Sequence, residues 1–447
     1  MIVLSHSKLS VESEFKKLLS QNNIKKINKN DIWAYPSNNS LTWNELDNYG
    51  WKIHISAIIP NAIQIAQEFI GLAKLYELNF KILASLNQLE KINLGYYGNS
   101  QIGKFITIYP KAGCATKTLE LLHYKFHNFV GIKVGSDFSY KLNSNIYYRF
   151  GTILNDIYHI DKRDKKLSPP SGYETIEDYS IPHYHEIPTR YLIIKTIKKV
   201  GLSGVYYAID LKNNYKVIIR YATQYYNLDS FNVDDKDRLL NSYHLLKSKI
   251  IYESQNFEKP LDIFYIDNAV FLVTKFENGS TINDLILNKE FDCLDIKTRI
   301  FIFNKIISAI NLLNENGFIF RDLSLSNIIL SDDLNIKIID FDYCISTNIN
   351  DLSYPGTEIE SAGTFGFFNP NIDVTSIKTD RYSLAKIFYF FCLPSNYRSL
   401  IKECDFTKTY SEVKETIDSC FKTKLESHLE KYYKELLEGK YIKEISL

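Results

Sequence analysis

Three side chains in the second half of the sequence have the types and spacing to hold a hydroxyl and a metal-bound phosphate together. Asp322 and Asn327 lie inside the apolar run from Gly317 to Leu330, and Asp340 ends a second apolar run, Ile338 and Ile339. A short loop that carries a carboxylate to orient a hydroxyl and an amide oxygen for magnesium, met by a second carboxylate from the next strand, is what phosphoryl transfer requires. Alone, an aspartate followed five residues later by an asparagine also reads as a loop carboxylate capping backbone amides. The following Ile-Ile-Asp-Phe gives the pattern its weight.

A second set of chemical groups lies in the first third. Trp51, Lys52, Ile53, His54, Ile55 and Ser56 alternate strictly, so a strand here sends the apolar members to one face and Lys52, His54 and Ser56 to the other. Residues 61–77 carry a helical apolar stripe at Ile65, Phe69, Leu72 and Tyr76. Asn79 to Leu83 reads as a strand with Lys81 among apolar neighbours, Gly103 to Pro110 as a strand opened by Lys104, residues 116–128 as a helix, and Asn145 to Gly151 as a strand carrying Arg149. Cations converging on one sheet face could bind a dianionic phosphate and also depress the pKa of one lysine until it serves as a base. Each lysine also reads, equally well, as a solvated strand face.

Residues 50–151 resemble the N-terminal lyase domain of class III lanthipeptide synthetases, itself similar to phosphothreonine lyase effectors. The resemblance rests on Gly50 to Ser56, Phe80-Lys81, Gly103 to Pro110, Ser136-Asp137 and Tyr148-Arg149. Those lyases remove phosphate from phosphoserine or phosphothreonine by β-elimination without a metal. The resemblance implies Lys81 as the base for the Cα proton and His54 as the acid for the departing phosphate. It places Lys52 and Arg149 on phosphate-binding positions and Tyr109 and Asp137 on supporting ones. Where the family carries an arginine that grips phosphate, this chain has Asn99 to Ile102, and Lys104 is the candidate stand-in.

The second half resembles a bilobal protein kinase. Tyr191 to Ile197, Gly201 to Asp210 and Tyr215 to Arg220 read as the first three small-lobe strands, with Gly201 and Gly204 in the phosphate-loop position, although a plain tight turn fits those two glycines equally well. Arg220 stands where a kinase has its phosphate-binding lysine, and Ser242 where the partner glutamate would fall. Phe271 to Glu277 resembles the hinge strand, with Glu277 at the nucleotide, and residues 295–317 a buried large-lobe helix. By the resemblance Asp322 orients the hydroxyl, Asn327 and Asp340 hold Mg2+, and Asp380 caps the catalytic-loop backbone. A glycine normally follows Asp340-Phe341; here Asp342 stands there, as is common in the synthetase family.

The expected architecture is therefore α+β: a lyase-like domain over residues 1–160, a linker at 161–186 rich in charge, Pro, Ser and Gly, and a kinase-like domain over 187–447, with a small lobe to about 278 and a large lobe from about 279. ATP and Mg2+ are expected in the kinase part and no cofactor in the lyase part. The expected partner is a ribosomal precursor peptide with its leader. A cyclase domain is not expected within these residues, so ring formation falls to a separate protein, and the chain could form homo- or hetero-oligomers. Arg220 and Ser242 also leave open an active lyase joined to a pseudokinase lobe, or a scaffold without catalysis. The 53 basic and 52 acidic residues give a net charge of +1, which argues against nucleic acid as a partner. The six cysteines show no zinc-ligand spacing. The sequence contains no stretch of membrane-span length, and Met1 to Lys8 is too short an apolar run for a signal peptide, so a cytoplasmic protein is expected.

Overall fold

The computed structural model describes residues 6–37, 49–141, 144–153, 169, 171–176, 187–229, 231–347, 363–405, 408 and 410–447. The architecture is mixed α and β, with an N-terminal sheet followed by a bilobal unit. Its first part runs α1 (His6–Gln21), β1 (Ile24–Lys25), β2 (Trp33–Pro36), β3 (Tyr49–Ile55), α2 (Ile59–Leu75), β4 (Asn79–Leu83), α3 (Leu86–Asn93), β5 (Ile106–Tyr109), α4 (Ala115–Phe126), β6 (Phe138–Ser139) and β7 (Ile146–Thr152). The strands lie in the order β1-β2-β4-β5-β3-β7-β6, every neighbouring pair antiparallel.

Alternation along these strands explains the register. Phe80, Ile108, Ile53 and Tyr148 oppose one another across β4, β5, β3 and β7, and so do Ile82, Ile106, Ile55 and Ile146 two residues along. All eight are no more than 5% exposed, covered by Phe15, Ile65, Phe69, Leu119 and Leu122 from the helices. A slip of one residue would turn this apolar face to the side that carries the charges, so burial of these side chains fixes the pairing.

Two departures from the sequence reading affect the site. β5 begins at Ile106 because Gly103 turns the chain at φ +80, where a Cβ would stand 2.7 Å from the Ile132 carbonyl oxygen. Lys104 therefore precedes the strand. Residues 171–176, expected as linker, pack on the N-terminal sheet. The Trp51 indole donates to the Glu174 carbonyl (2.8 Å), Tyr173 stacks edge-on against Phe150, and the Glu174 carboxylate accepts from the Ala115 and Thr116 amides at the start of α4. Of the expected linker at 161–186, residues 161–168, 170 and 177–186 lie outside the described residues.

The small lobe contains β8 (Tyr191–Val200), β9 (Ser203–Asp210), β10 (Tyr215–Thr223), α5 (Asp235–Lys247), α6 (Lys249–Glu253), β11 (Pro260–Ile266) and β12 (Ala269–Lys275), in the sheet order β11-β12-β10-β9-β8. The large lobe follows with β13 (Ser280–Thr281), α7 (Ile282–Leu287), α8 (Ile296–Glu315), β14 (Phe318–Ile319), β15 (Ile328–Leu330), β16 (Ile336–Ile338), β17 (Ile345–Ser346), α9 (Lys378–Cys392), α10 (Pro394–Glu403), α11 (Tyr410–Cys420) and α12 (Ser427–Leu437). Ile300, Phe303, Ile307 and Ile310 of α8 and Leu384, Ile387 and Phe388 of α9 form its core. Ile58, Ile102 and Ile132 of the first part meet Leu202, Tyr225 and Leu228 of the small lobe in a separate apolar cluster. Among the described residues no helix is long and apolar enough to cross a membrane.

Glu174→Ala should remove the acceptor that caps the start of α4 and lower stability by about 1 kcal/mol, read as an earlier urea midpoint; an unchanged midpoint would show that residues 171–176 do not brace this sheet.

Candidate active sites

The face of the N-terminal sheet opposite the helices carries polar side chains in two rows. Lys81 opposes Thr107, Thr107 opposes His54, and His54 opposes Tyr147, so four adjacent strands present one line of groups. Two residues along, on the same face, Asn79 opposes Tyr109 and Lys52 opposes Arg149. One intervening strand separates Lys81 from His54, which puts their backbones about 10 Å apart. Two cations directly opposite on neighbouring strands, Lys52 and Arg149, repel unless negative charge lies between them. The pair is suited to hold an anion.

On the solvated reading of this strand, Lys52 and His54 would stand on an open face. Instead His54 is 3% exposed and Ser56 fully buried, because the chain from Ile132 to Asp137 closes over them and Ser56 Oγ donates to the Ile132 carbonyl (2.7 Å). Asp137 is the centre of this cover. Its Oδ2 lies 2.5 Å from His54 Nδ1, while Oδ1 accepts from Ser136 Oγ (2.6 Å) and sits 3.3 Å from Lys104 Nζ. Lys104 is thus a partner of Asp137, buried at the edge of the site.

Electrostatics set the state of the imidazole. Burial pushes His54 down to about 4; Asp137 opposes that, and Lys104 and Lys52 reinforce it. Burial alone would raise Asp137, but His54, Lys104 and Ser136 hold its carboxyl well below the usual range. With only protein groups around it, His54 is neutral at pH 7, whereas the resemblance implies an acid ready to donate. Burial, with a hydrogen bond to the Val134 backbone in opposition, raises the Tyr147 phenol. Lys81 is half-buried with its ammonium 4.4 Å above the Trp33 ring on β2.

The second site lies between the lobes. Asp380, fully buried, accepts from the Phe320 amide (3.0 Å), the Arg321 amide (2.8 Å) and Asn314 Nδ2 (2.8 Å), which fixes the loop before Asp322 while Arg321 takes φ +69. Asp322 Oδ1 accepts from the Thr364 amide (2.9 Å) and hydroxyl (2.8 Å). Burial pushes Asp322 up to about 6, against the Thr364 hydrogen bonds and with help from the Asp340 charge. Asn327 donates its Nδ2 to the Asp322 carbonyl (2.9 Å), which commits its nitrogen and leaves Oδ1 as its donor to a metal. The Asp340 carboxylate is 42% exposed.

Arg220 reaches this site from β10. Its Nη1 donates to Asp340 Oδ1 (2.7 Å) and Asp342 Oδ1 (3.0 Å), and Nη2 to Ser242 Oγ (3.2 Å) and Glu258 Oε1 (3.3 Å). The missing helix glutamate is thus offset by acids from elsewhere in the chain. Hard oxygen donors from Asp340 and Asn327 fit Mg2+. Among the described residues no group of three or more His, Cys, Asp or Glu side chains could hold a metal alone, so phosphate oxygens would complete the coordination. Gly201 forms the turn between β8 and β9 at φ +55, where a Cβ would strike the Tyr226 ring. At Gly204 a Cβ would meet Tyr221 and the Lys198 carbonyl. Packing accounts for both glycines. Glu277 follows β12 with Oε1 3.7 Å from Lys337 Nζ.

Residues 195–444 match the protein kinase domain family, 250 of the 447 residues. The chain belongs to the protein kinase family. Residues 19–189, ahead of this kinase domain, match the family described as RamC, N-terminal domain, an order that fits a lanthipeptide synthetase-like architecture. The kinase domain is similar to a probable serine/threonine-protein kinase KIN1 homolog of Enterocytozoon bieneusi, 27% identical over 199 residues, 42% of this chain and 31% of that protein. It is also similar to a probable serine/threonine-protein kinase of Clostridium perfringens, 25% identical over 207 residues, 45% of this chain and 28% of that protein. Maternal embryonic leucine zipper kinase of Xenopus tropicalis is 27% identical over 165 residues, 37% of this chain and 24% of that protein. The chain spans less than a third of the length of each. Two of these relatives are named as probable serine/threonine-protein kinases.

The sequence reading missed Thr107, Tyr147 and Trp33 at the first site and Thr364 and Glu258 at the second. Thr107 and Tyr147 could have been found by writing out the register once the apolar rows were aligned. Thr364 lies in the Gly363 to Gly366 stretch, where no local pattern marks a threonine as the partner of a carboxylate some forty residues earlier. Glu258 offered only one acid after an apolar residue.

Because folded His54 binds its proton less readily than the unfolded chain, stability should fall as pH drops from about 6.5 to 4, by about 2 to 3 kcal/mol from this residue. His54→Gln should flatten that segment of the urea-midpoint profile; parallel profiles for the two proteins would refute the burial effect.

Proposed function

We propose that the chain is a peptide dehydratase. Its kinase domain phosphorylates Ser or Thr in a ribosomally made precursor peptide, and its N-terminal domain eliminates the phosphate to give dehydroalanine or dehydrobutyrine. The observation that carries this reading is the common sheet face on which Lys81 and His54 flank Thr107 beside the Lys52 and Arg149 pair. The match to the RamC N-terminal family supports it.

The chemistry follows from the groups. Lys52 and Arg149 take the phosphate dianion, and Lys81, as the neutral amine, removes the Cα proton. That electron pair becomes the Cα–Cβ double bond as the Cβ–O bond breaks, and phosphate leaves with the ester oxygen. An arriving dianion adds negative charge beside His54 and raises its proton affinity, so the neutral imidazole becomes the acid that protonates the departing phosphate. Tyr109 and Asp137 support the anion and the imidazole. In the kinase domain Asp322, lifted toward 6, suits a residue that accepts the hydroxyl proton, while ATP supplies the phosphoryl group. Asp340 and Asn327 would hold Mg2+ and Arg220 would face the phosphates, with the backbone near Gly201, Gly204 and Glu277 bordering the nucleotide. Carrying both sites on one chain keeps the phosphopeptide at high effective concentration. Leader recognition and a separate cyclase belong to the same proposal.

A second reading is favoured by one contact, the hold of Arg220 on Asp340. In it the lobe binds peptide as a pseudokinase and another enzyme supplies the phosphate.

With ATP, Mg2+ and the precursor peptide, the wild type should yield peptide short of one water per modified residue, by mass spectrometry. Lys81→Ala should accumulate phosphopeptide; dehydrated product from that variant would overturn its role. The kcat/KM for phosphorylation should fall about tenfold per pH unit below about 6, as Asp322 takes up its proton. A flat profile would remove Asp322 as the titrating base, and no phosphopeptide at all would favour the second reading.

A further inference from the structure

Kinases normally hold the phosphate-facing cation of the third strand with a glutamate on the next helix, and regulation acts by moving that helix. Here the helix is α5, and its only side chain on Arg220 among the described residues is the neutral Ser242, at 3.2 Å. The opposing charge comes from a different place. Glu258, 4% exposed, lies just before β11, and its Oε1 accepts both from Arg220 Nη2 (3.3 Å) and from the Asp340 amide (2.7 Å).

The loop that carries Glu258 is part of the core. Its amide donates to the Ile338 carbonyl (3.1 Å), and the Ile338 amide donates to the Asn256 carbonyl (2.7 Å), joining the loop to β16, the strand that leads to Asp340. Phe257, fully buried, packs edge-on against Phe341, which packs edge-on against Phe320. Asp340 takes φ +70, a conformation that an L residue holds only when its surroundings enforce it, and the carboxylate on its amide is one such restraint. One buried oxygen therefore sets the Arg220 fork and the Asp340 backbone together.

We propose that Glu258 is the positioning residue of the nucleotide site, fixing Arg220 and Asp340 from the rigid core so that the site is assembled without a charge on α5. The inference rests on the kinase reading above. It means that this lobe lacks the helix-borne ion pair through which regulated kinases are switched, and is set permanently for nucleotide.

The test is isothermal titration of the full chain with Mg-ADP, with nucleotide KM and kcat measured alongside. Glu258→Gln should weaken ADP at least about tenfold and raise the nucleotide KM to match, because the buried guanidinium loses the one of its three acids that also holds the Asp340 amide. Ser242→Ala should stay within about threefold of wild type, as expected for loss of one neutral hydrogen bond. Adding Ser242→Glu to Glu258→Gln should recover most of the affinity by returning the charge from the helix, a rescue that a merely structural role would not give, and this double variant also serves if the single one folds poorly. Glu258→Gln binding ADP as wild type does, Ser242→Ala losing as much as Glu258→Gln, or a double variant no better than the single would each overturn the inference alone. A wild-type chain that binds no ADP would overturn the kinase reading with it.

Discussion

The pairing of β4 with β5 and of β5 with β3 is the constraint on which the N-terminal site depends. Lys81 meets Thr107 and Thr107 meets His54 only in the register that buries Phe80, Ile108 and Ile53 on the opposite face. The apolar rows and the reactive rows are thus the same decision taken once. Packing energy, far larger than any single polar contact, aligns groups that contribute little to stability themselves. The cations Lys52 and Arg149 face each other for the same reason, at a cost that the apolar face covers.

Both sites then use burial to tune proton affinity, in opposite directions suited to each group. Desolvation drives His54 down and keeps it neutral beside Asp137, while it drives Asp322 up beside Asp340. In each case a neighbour moderates the effect: the Asp137 charge for the imidazole, the Thr364 hydrogen bonds for the carboxyl. The kinase site adds a buried guanidinium among Asp340, Asp342 and Glu258, an arrangement in which three acids surround one cation and further positive charge is welcome.

Much of this was legible in the sequence. Strict alternation at residues 51–56 gave β3, the apolar stripe at Ile65 and Phe69 gave α2, and the apolar runs around Asp322, Asn327 and Asp340 gave a loop and the strands that flank it. Asp380 caps that loop as its resemblance implied. What stayed hidden was whatever depended on contacts between distant segments. No local pattern tells that Ile132 to Asp137 folds over His54, that Lys104 turns off the strand at Gly103, or that Glu174 caps a helix some sixty residues earlier. The glycines at 201 and 204 read as either a phosphate loop or a tight turn, and only the Tyr226 and Tyr221 rings explain why no side chain fits there. Glu258 was invisible because its meaning lies in Arg220, an arginine where a lysine was expected.

The most direct measurement gives the full chain a synthetic phosphoserine peptide in the presence of a chelator and without nucleotide, and follows inorganic phosphate and peptide mass together. The account predicts phosphate release matched one for one by dehydroalanine under these conditions, with neither metal nor ATP present. Intact phosphopeptide after many hours, or phosphate released with serine regenerated, would contradict it.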